Sequence, residues 1–431
     1  MTKKDLTSAS TEDLIAELKQ RSPIEMGQEM QDIEEGLEAK SREIERERIA
    51  AWLSHMAHEE GESKQPCPRC GRLIRVKVKK RKRHLRTLGG EIVYARNYHW
   101  CTHCHYGFYP LDQKAGIPEK GEATKSVVER VMDFAVNTVE TEAADRFSYH
   151  YGQEISPNFI RRIIDRIELP EKEPEILIKE HTKRLTVEVD GSMIPMRAGW
   201  QEAKLGVLVC EEHHLKSDKH QRGMVSEAHY VGTLGKVEQF EQKLHETLPT
   251  VNIRSPLEIV WVADGARWIW EMAKRLCPHA LQILDWIHAL EHGLECGKVL
   301  LEDQADVTAL WEQRIRSLLW EGKIEQLLME LNECLSICTK RSPLKRDKLV
   351  KLINYYESNK SRMDYKNNRD NGRIIGSGII ESAHKHVIQT RMKRAGQHWS
   401  EEGAEKMIQL RTRYKTYGPR QFSEELWKLA A

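Results

Sequence analysis

From residue 184 onward the apolar positions change period every dozen residues or so. In "RLTVEVDG", Leu185, Val187 and Val189 alternate with polar neighbours, the period of two expected of a strand. "KLGVLVC" and "AHYVGTL" read as two further strands, and "KVEQFEQKLHETL" as a helix. "LEIVWVAD" is again a strand, "ARWIWEMAKRL" a helix, "LQILDW" a strand and "IHALEHGLECGKVLLE" a helix. The predicted order is therefore β-β-β-α-β-α-β-α. Three strands joined by short links precede strands that alternate with helices.

The remainder of the chain carries other patterns. Residues 10–60 place Ile33, Leu37, Ile44, Ile49 and Leu53 at roughly helical intervals among many charges, and Thr11 is a candidate cap for the first helix. Residues 64–110 alternate around a Gly89-Gly90 turn and carry a Cys-x-x-Cys at each end. Residues 124–168 return to helix. A single long helix, a turn through Gly152 and a second helix opened by Ser156-Pro157 fit a helix-turn-helix or an ordinary helical hairpin. Residues 303–372 are helical and polar; Gly372, Gly376 and Gly378 then break the pattern before a last helical stretch. The expected architecture is an α/β core with the strand order of a ribonuclease H-like sheet, carrying a helical insertion. A zinc-ribbon module and a helical DNA-binding segment precede it. The expected segments are an N-terminal helical region over 1–60, a zinc ribbon over 61–115 and a helix-turn-helix-like domain over 116–180. The core spans 181–302, the insertion 303–372, and the final helices 373–431.

Composition narrows the function. The chain is 39% apolar and 31% charged, which supports folding rather than general disorder. No apolar run approaches the roughly 18 residues of a membrane span, and the N-terminus lacks an apolar signal core. A cytoplasmic protein with no membrane partner is expected. The net charge is only +2, but it is segregated. Residues 69–100 hold 11 bases against Glu91 alone, and residues 385–420 hold nine bases against three acids. Two basic islands on a near-neutral chain point to a polyanion, with solvated surface as the alternative. The run "RVKVKKRKRHLR" predicts a strand with cations on both faces, unsuited to burial and suited to phosphates.

Cys67, Cys70, Cys101 and Cys104 form two Cys-x-x-Cys knuckles separated by thirty residues. Two knuckles closing a hairpin supply the four sulfurs that a structural zinc ion prefers, leaving no open coordination position. His99, His103 and His105 lie close enough in sequence to substitute as ligands.

Two apolar strands end in the same step, Asp190-Gly191 and Asp264-Gly265. Sites in open α/β sheets form at the carboxyl ends of strands, and in the predicted order these two strands lie side by side. Paired carboxylates repel unless a cation sits between them, and hard oxygen donors suit magnesium or manganese. Glu381 is the best third ligand, in the first helical turn after Gly376-Ser377-Gly378, where the helix dipole favours an anion. Each acid alone also reads as an ordinary turn or helix-start residue.

These residues resemble the ISKra-type insertion-sequence transposase family, and more distantly Mutator-type transposases. The matching stretches run in order from about residue 66 to 410: "CPRCG", "RTLGGEIVYARNYHWCTHCHYGFYPLD", "VEVDGSMIPMRAGWQEAKLGVLV", "VWVADGARWIW", "LQILDWIHALEH" and "GSGIIESAHKHVIQTRMKRAGQHWS". The resemblance implies a DDE transposase with Asp190, Asp264 and Glu381 as catalytic metal ligands and Asp285 and His288 as accessory residues. It implies two magnesium (or manganese) ions per active site and water-driven phosphodiester cleavage, followed by strand transfer by the freed 3′-OH. The implied partners are the element's terminal inverted repeats and target DNA, with a homodimer or higher oligomer, in a bacterial nucleoid-associated setting. Arg161, Arg162, Arg391, Lys393, Arg394 and Trp399 are the candidate DNA contacts, with core packing the alternative for Trp399. Two rival readings remain. "HALEH", residues 288–292, fits the H-x-x-E-H pattern of some metallopeptidases. A non-catalytic zinc-ribbon and helix-turn-helix DNA-binding protein is the stronger rival.

Overall fold

The computed structural model describes residues 9–170, 172–173, 175–176, 178–216, 223–248, 257–302, 304–338 and 342–428 of the 431. It divides into two compact units, Met1–Ile167 and Glu168–Ala431.

The first unit opens with helices α1 (Thr11–Arg21) and α2 (Met30–Glu60). The cap of α1 is Ser10 rather than Thr11. Ser10 Oγ accepts from Asp13 N at 3.2 Å while the Asp13 carboxylate accepts from Ser10 N at 2.8 Å, a reciprocal capping box. Arg21 ties the two helices together through Glu47 at 2.9 Å and Glu43 at 3.3 Å. Short strands β1 (Gln65–Pro66) and β2 (Leu73–Ile74) lead into a long antiparallel ribbon of β3 (Val76–Thr87) and β4 (Gly90–Cys101), flanked by β5 (Tyr106–Phe108). The half of the ribbon nearest its turn is buried on one face: Leu85, Ile92 and Tyr94 pack with Leu53 of α2 and with Leu111 of the short helix α3 (Pro110–Lys114).

Two expectations change here. Arg83 lies within the cationic run yet is buried. It donates to Asp112 at 2.7 Å and to the carbonyls of Pro118 and Gly121 at 2.8 and 2.9 Å. Arg96 pairs with the same carboxylate, and Tyr94 donates to it at 2.6 Å, so charge and hydrogen bonds compensate the burial. The long helix expected before Gly152 is two, α4 (Lys125–Ala135) and α5 (Glu140–Tyr151), followed by α6 (Pro157–Arg166). The break falls where Asn137 and Thr138 turn their side chains back onto the carbonyls of Asp133 and Phe134, at 2.9 and 3.1 Å. Such bonds offer the backbone an alternative to continuing the helix.

The second unit is built on five strands: β6 (Arg184–Met196), β7 (Gly199–Cys210), β10 (His229–Leu234), β11 (Glu258–Ala263) and β12 (Leu281–Leu284). Their order across the sheet is β10-β7-β6-β11-β12. β6, β7 and β10 are antiparallel, whereas β11 is parallel to both β6 and β12. A small hairpin, β8 (His214–Lys216) and β9 (Gly223–Val225), intervenes before β10 and has no counterpart in the sequence reading. Helices α7 (Val237–Thr247) and α8 (Arg267–Leu276) connect the later strands, and α9 (Trp286–Leu301) follows β12. Leu185, Val187 and Val189 are buried, and so are Thr186 and Glu188 between them, because both faces of β6 are covered.

The helices α10 (Ala305–Trp320), α11 (Ile324–Cys338), α12 (Pro343–Asn359) and α13 (Tyr365–Asp370) occupy the predicted insertion and share one apolar core with the sheet. The chain returns through α14 (Gly378–Ala383), a π-helical turn (His384–Gln389) and α15 (Thr390–Met392). It ends in α16 (Glu401–Lys428), which is interrupted by a non-helical Gly418. Gly232 on β10 is where α16 crosses: a Cβ there would stand 2.8 Å from Ile408 Cγ2.

Candidate functional site

The parallel register of β6 and β11 sets Glu188 opposite Val262. Asp190 and Asp264 each lie two residues further on. Only Asp264 follows a strand end: against the sequence expectation, β6 does not stop at Asp190-Gly191 but runs on, paired with β7, to Met196. Asp264 has left the ladder. Its Oδ1 accepts from Ala266 N at 2.9 Å, and Gly265 takes a φ of +105°, turning the chain into α8. Tyr355 of the insertion donates to the Asp264 carbonyl at 3.0 Å and holds the turn from the other side. Burial raises the Asp190 carboxyl to about 6, the negative charge of Asp264 adds to the rise, and the Gly191 N–H opposes it at 2.7 Å.

The third acid arrives on α14. Glu381 is exposed, and its carboxylate lies within 4.8 Å of ligand atoms of Asp285 and His288. Two buried carboxylates pin the segment that carries it. Asp285, at the end of β12, caps α9 by accepting from Ile287 N at 2.6 Å. Its other oxygen accepts from Ser377 N at 3.1 Å and from the Ser377 hydroxyl. Glu188 accepts from Ile380 N at 2.9 Å, one residue before Glu381. Its second oxygen has no partner among the described residues, and burial raises the carboxyl to about 8, with Asp285 and Glu381 adding to the shift. With both oxygens engaged by N–H and O–H donors, Asp285 is a positioning residue more than a vacant ligand.

The π turn then brings His384 inward. Nε2 stands 3.5 Å from Asp190 Oδ2, and burial keeps the imidazole neutral by lowering it to about 4. π turns change the phase of a helix within one turn. Here Glu381 stays at the surface while His384, three residues on, is buried against Asp190. Lys393 approaches the same carboxylate, donating to Ser192 Oγ at 2.6 Å. Sequence reasoning took Asp190, Asp264, Glu381, Asp285 and His288 as site residues and missed Glu188, Ser377, Tyr355 and His384. For Glu188 a signal was present: a charged residue on an apolar strand, on the same face as Asp190.

The other candidates are placed as follows. Arg391, expected to face DNA, is fully buried, with its guanidinium 5.2 Å from the Trp399 ring centroid. Trp399 is half-buried and donates to the Met392 carbonyl at 3.1 Å, so it has a packing role. Arg394 is exposed. In the first unit Arg161 and Arg162 lie on exposed positions of α6, bonded to Asn158 and Glu122 at 3.0 Å each. The H-x-x-E-H pattern does not assemble a ligand set. His288 joins Asp285 and Glu381, whereas His292 is exposed, with its ring 4.3 Å from that of Tyr355.

The four cysteines come together as expected. Sγ atoms of Cys67 and Cys104 are 3.5 Å apart and those of Cys70 and Cys101 are 3.6 Å apart, with all four within 4.8 Å. Zn–S bonds of about 2.3 Å in a tetrahedron place sulfurs about 3.8 Å apart, so the cluster fits zinc. The Cys104 N–H draws the Cys101 thiol down to about 6, while burial and the neighbouring sulfurs push Cys104 up to about 12. A dication is what would let all four ionise. His99 is buried against Phe108 and bonds the Ile74 carbonyl at 3.2 Å, outside the ligand set. No helix among the described residues is long and apolar enough to cross a membrane.

Relatives of this chain occur in Caldanaerobacter subterraneus subsp. tengcongensis. One UPF0236 protein, TTE0402, is 24% identical over 343 residues, 79% of this chain and 65% of its own length. Another is 22% identical over 79% of this chain and 69% of its own, and its name joins eleven locus names of that organism. The chain thus spans just under two thirds of the length of the first of these relatives. A solved Drosophila P element transposase strand transfer complex aligns over 72% of this chain and 92% of that one, at 9% identity and a TM-score of 0.32, too loose to carry an argument. The profile of the uncharacterised protein family UPF0236 matches residues 24–425, and the chain belongs to that family.

Proposed function

We propose that this protein is a DNA transposase of an insertion sequence, with a ribonuclease H-like core and a DDE-type active site at Asp190, Asp264 and Glu381. The observation that carries the reading is the placement of acids on and beside the two interior parallel strands, β6 and β11. Asp190 lies on β6 and Asp264 follows the adjacent parallel strand β11, while buried Glu188 and Asp285 hold the segment that carries Glu381 next to Asp285 and His288. The strand order β10-β7-β6-β11-β12 supports it, as does the insertion between the last strand and the returning helix. The relative whose name joins eleven loci supports it independently, since a gene repeated across one genome behaves as a mobile element does.

Carboxylate oxygens from Asp190, Asp264 and Glu381 would suit a hard divalent cation, and the Glu381 carboxylate lies within 4.8 Å of ligand atoms of Asp285 and His288. Magnesium or manganese bound there would stabilise negative charge on a scissile phosphate and lower the pKa of an attacking water or hydroxyl. The chain's own residues prepare the site. His384 and the Gly191 N–H orient Asp190, while Tyr355 and the Ala266 N–H orient Asp264. Lys393, held on Ser192 two residues past Asp190, would supply positive charge for a phosphate. Cys67, Cys70, Cys101 and Cys104 would hold a structural zinc ion.

The test is cleavage of a duplex carrying the element's end sequence, with and without magnesium. The expected result is magnesium-dependent nicking, lost by at least about 1,000-fold in Asp264→Asn on the scale of removing a transition-state charge stabiliser. Tight end binding with no nicking under any divalent ion would favour the non-catalytic DNA-binding reading. Unchanged nicking by Asp264→Asn would overturn the assignment of the site.

A further inference from the structure

The ribbon of β3 and β4 has two unlike halves. One face of its turn half, with Leu85, Ile92 and Tyr94, is buried in the first unit's core. Its open half, toward the cysteine cluster, is solvated: every basic residue from Arg69 to Lys82 is exposed, and no acid interrupts that stretch. On β3 this gives Lys77, Lys79, Lys80, Arg81 and Lys82 within six positions. Successive side chains on a strand point to opposite faces, so an unbroken run of exposed cations coats both faces of the ribbon.

The backbone is irregular where the charge is densest. The register slips between Val76 and Val78 and again between Val78 and Arg81. Lys80 takes a φ of +50°, and its N–H donates to Asn97 Oδ1 at 3.0 Å, a side-chain bond in place of a ladder bond. A left-handed lysine costs roughly 1–2 kcal/mol, and Arg81 sits directly opposite Arg96 across the ribbon, a like-charge pair that destabilises a sheet. Neither feature helps the unit fold. Bulges bend and twist the strand that contains them, and they recur where a side chain must be re-aimed. The cysteine knuckles tie the open ends of the hairpin together, through Cys67 and Cys70 before β3 and Cys101 and Cys104 at the end of β4. The charged stretch is therefore anchored at both ends, in a core on one side and in a cluster fit for zinc on the other.

We infer that this bulged ribbon is a docking surface for double-stranded DNA, entering the major groove so that cations on its two faces meet the phosphates of the two groove walls. Surface attachment to a flat polyanion would use one face only. The major groove of B-DNA, about 12 Å wide, admits a two-stranded ribbon, whereas the deep and narrow groove of A-form RNA does not. The surface does not depend on the carboxylate site, and none of its residues belongs to that site.

The experiment uses the full-length zinc-loaded protein, a DNA duplex of arbitrary sequence and no added magnesium. Affinity is read by fluorescence anisotropy over a series of salt concentrations. Each neutralised phosphate contributes about 0.9 to the slope of log affinity against log salt. The quadruple variant Lys77→Ala, Lys79→Ala, Arg81→Ala, Lys82→Ala should flatten the slope by about 3 to 4 and weaken binding by at least about 30-fold at moderate salt. Lys80 is left in place because its backbone conformation is special. The milder pair Lys77→Gln, Lys82→Gln should take about half that slope and guards against a folding defect in the first variant. A matched RNA duplex should bind more weakly and respond little to either variant. Unchanged slope and affinity in variants that retain zinc and the native melting temperature would overturn the inference. Equal or tighter RNA binding, lost in the same variants, would overturn it too, by assigning the ribbon to RNA.

Discussion

Glu188 is the residue whose role most exceeds what its sequence neighbourhood announces. It is fully buried on β6, and it accepts the N–H of Ile380, 192 positions away. That one bond fixes the start of α14 and so the place of Glu381. Glu188→Ala removes the acceptor and leaves a buried N–H unpaired, at a cost of about 1–3 kcal/mol. Glu188→Gln keeps an acceptor of the same shape and removes a carboxyl that burial already holds largely uncharged. The expected outcome is a lowered melting temperature and at least tenfold weaker manganese binding for the alanine variant, with the glutamine variant near wild type in both. A manganese titration unaffected by either change would show that Glu188 does not position the site. The Asp-Gly step at the end of an apolar strand is a local pattern that holds for Asp264, whereas the long hairpin with β7 carries β6 past Asp190 to Met196. The partnerships of Glu188 with Ile380 and of His384 with Asp190 were not legible in the sequence. They join segments nearly 200 residues apart, and a π turn shifts the helix phase on which any face assignment rests.

At the scale of elements, strong periodicity and strong punctuation carried the reading. The strands of the sheet were visible as apolar alternation, and the register that sets Asp190 beside Asp264 follows from their order. The helix predicted across 125–151 failed because Asn137 and Thr138 compete for the backbone, which propensity alone does not reveal. Arg83 failed for a different reason: its partner Asp112 is 29 positions away, beyond any local window. The cysteine element invites a direct test. Cys67→Ser or Cys101→Ser should reduce zinc from one ion per chain to a small fraction and lower the melting temperature of the protein. A chelator should do the same to the wild type, with thiol reactivity appearing at all four cysteines. Purified protein without zinc, and with a melting temperature indifferent to chelator, would leave the knuckles as loose thiols.

For the whole molecule, the proposed chemistry and the proposed docking surface fall in different compact units, Glu168–Ala431 and Met1–Ile167. Their contributions should therefore separate. Mutations with no shared partners act nearly additively, and the partners of Lys77, Lys79 and Lys80 are Trp100, Glu62 and Asn97, all in the first unit. Asp264→Asn should abolish nicking while leaving DNA affinity and its salt slope within about twofold of wild type. The ribbon variant should do the reverse in kind: binding falls, yet at saturating protein the rate of nicking per bound duplex stays within a few-fold. A binding curve for the ribbon variant, followed by single-turnover cleavage above its measured dissociation constant, distinguishes the two effects. If nicking per bound duplex also collapses, the ribbon sets the DNA's register on the catalytic centre as well as holding it, and the two units act as one machine. If Asp264→Asn instead loses DNA affinity, the carboxylate edge is a binding surface and the catalytic reading gives way to the non-catalytic one.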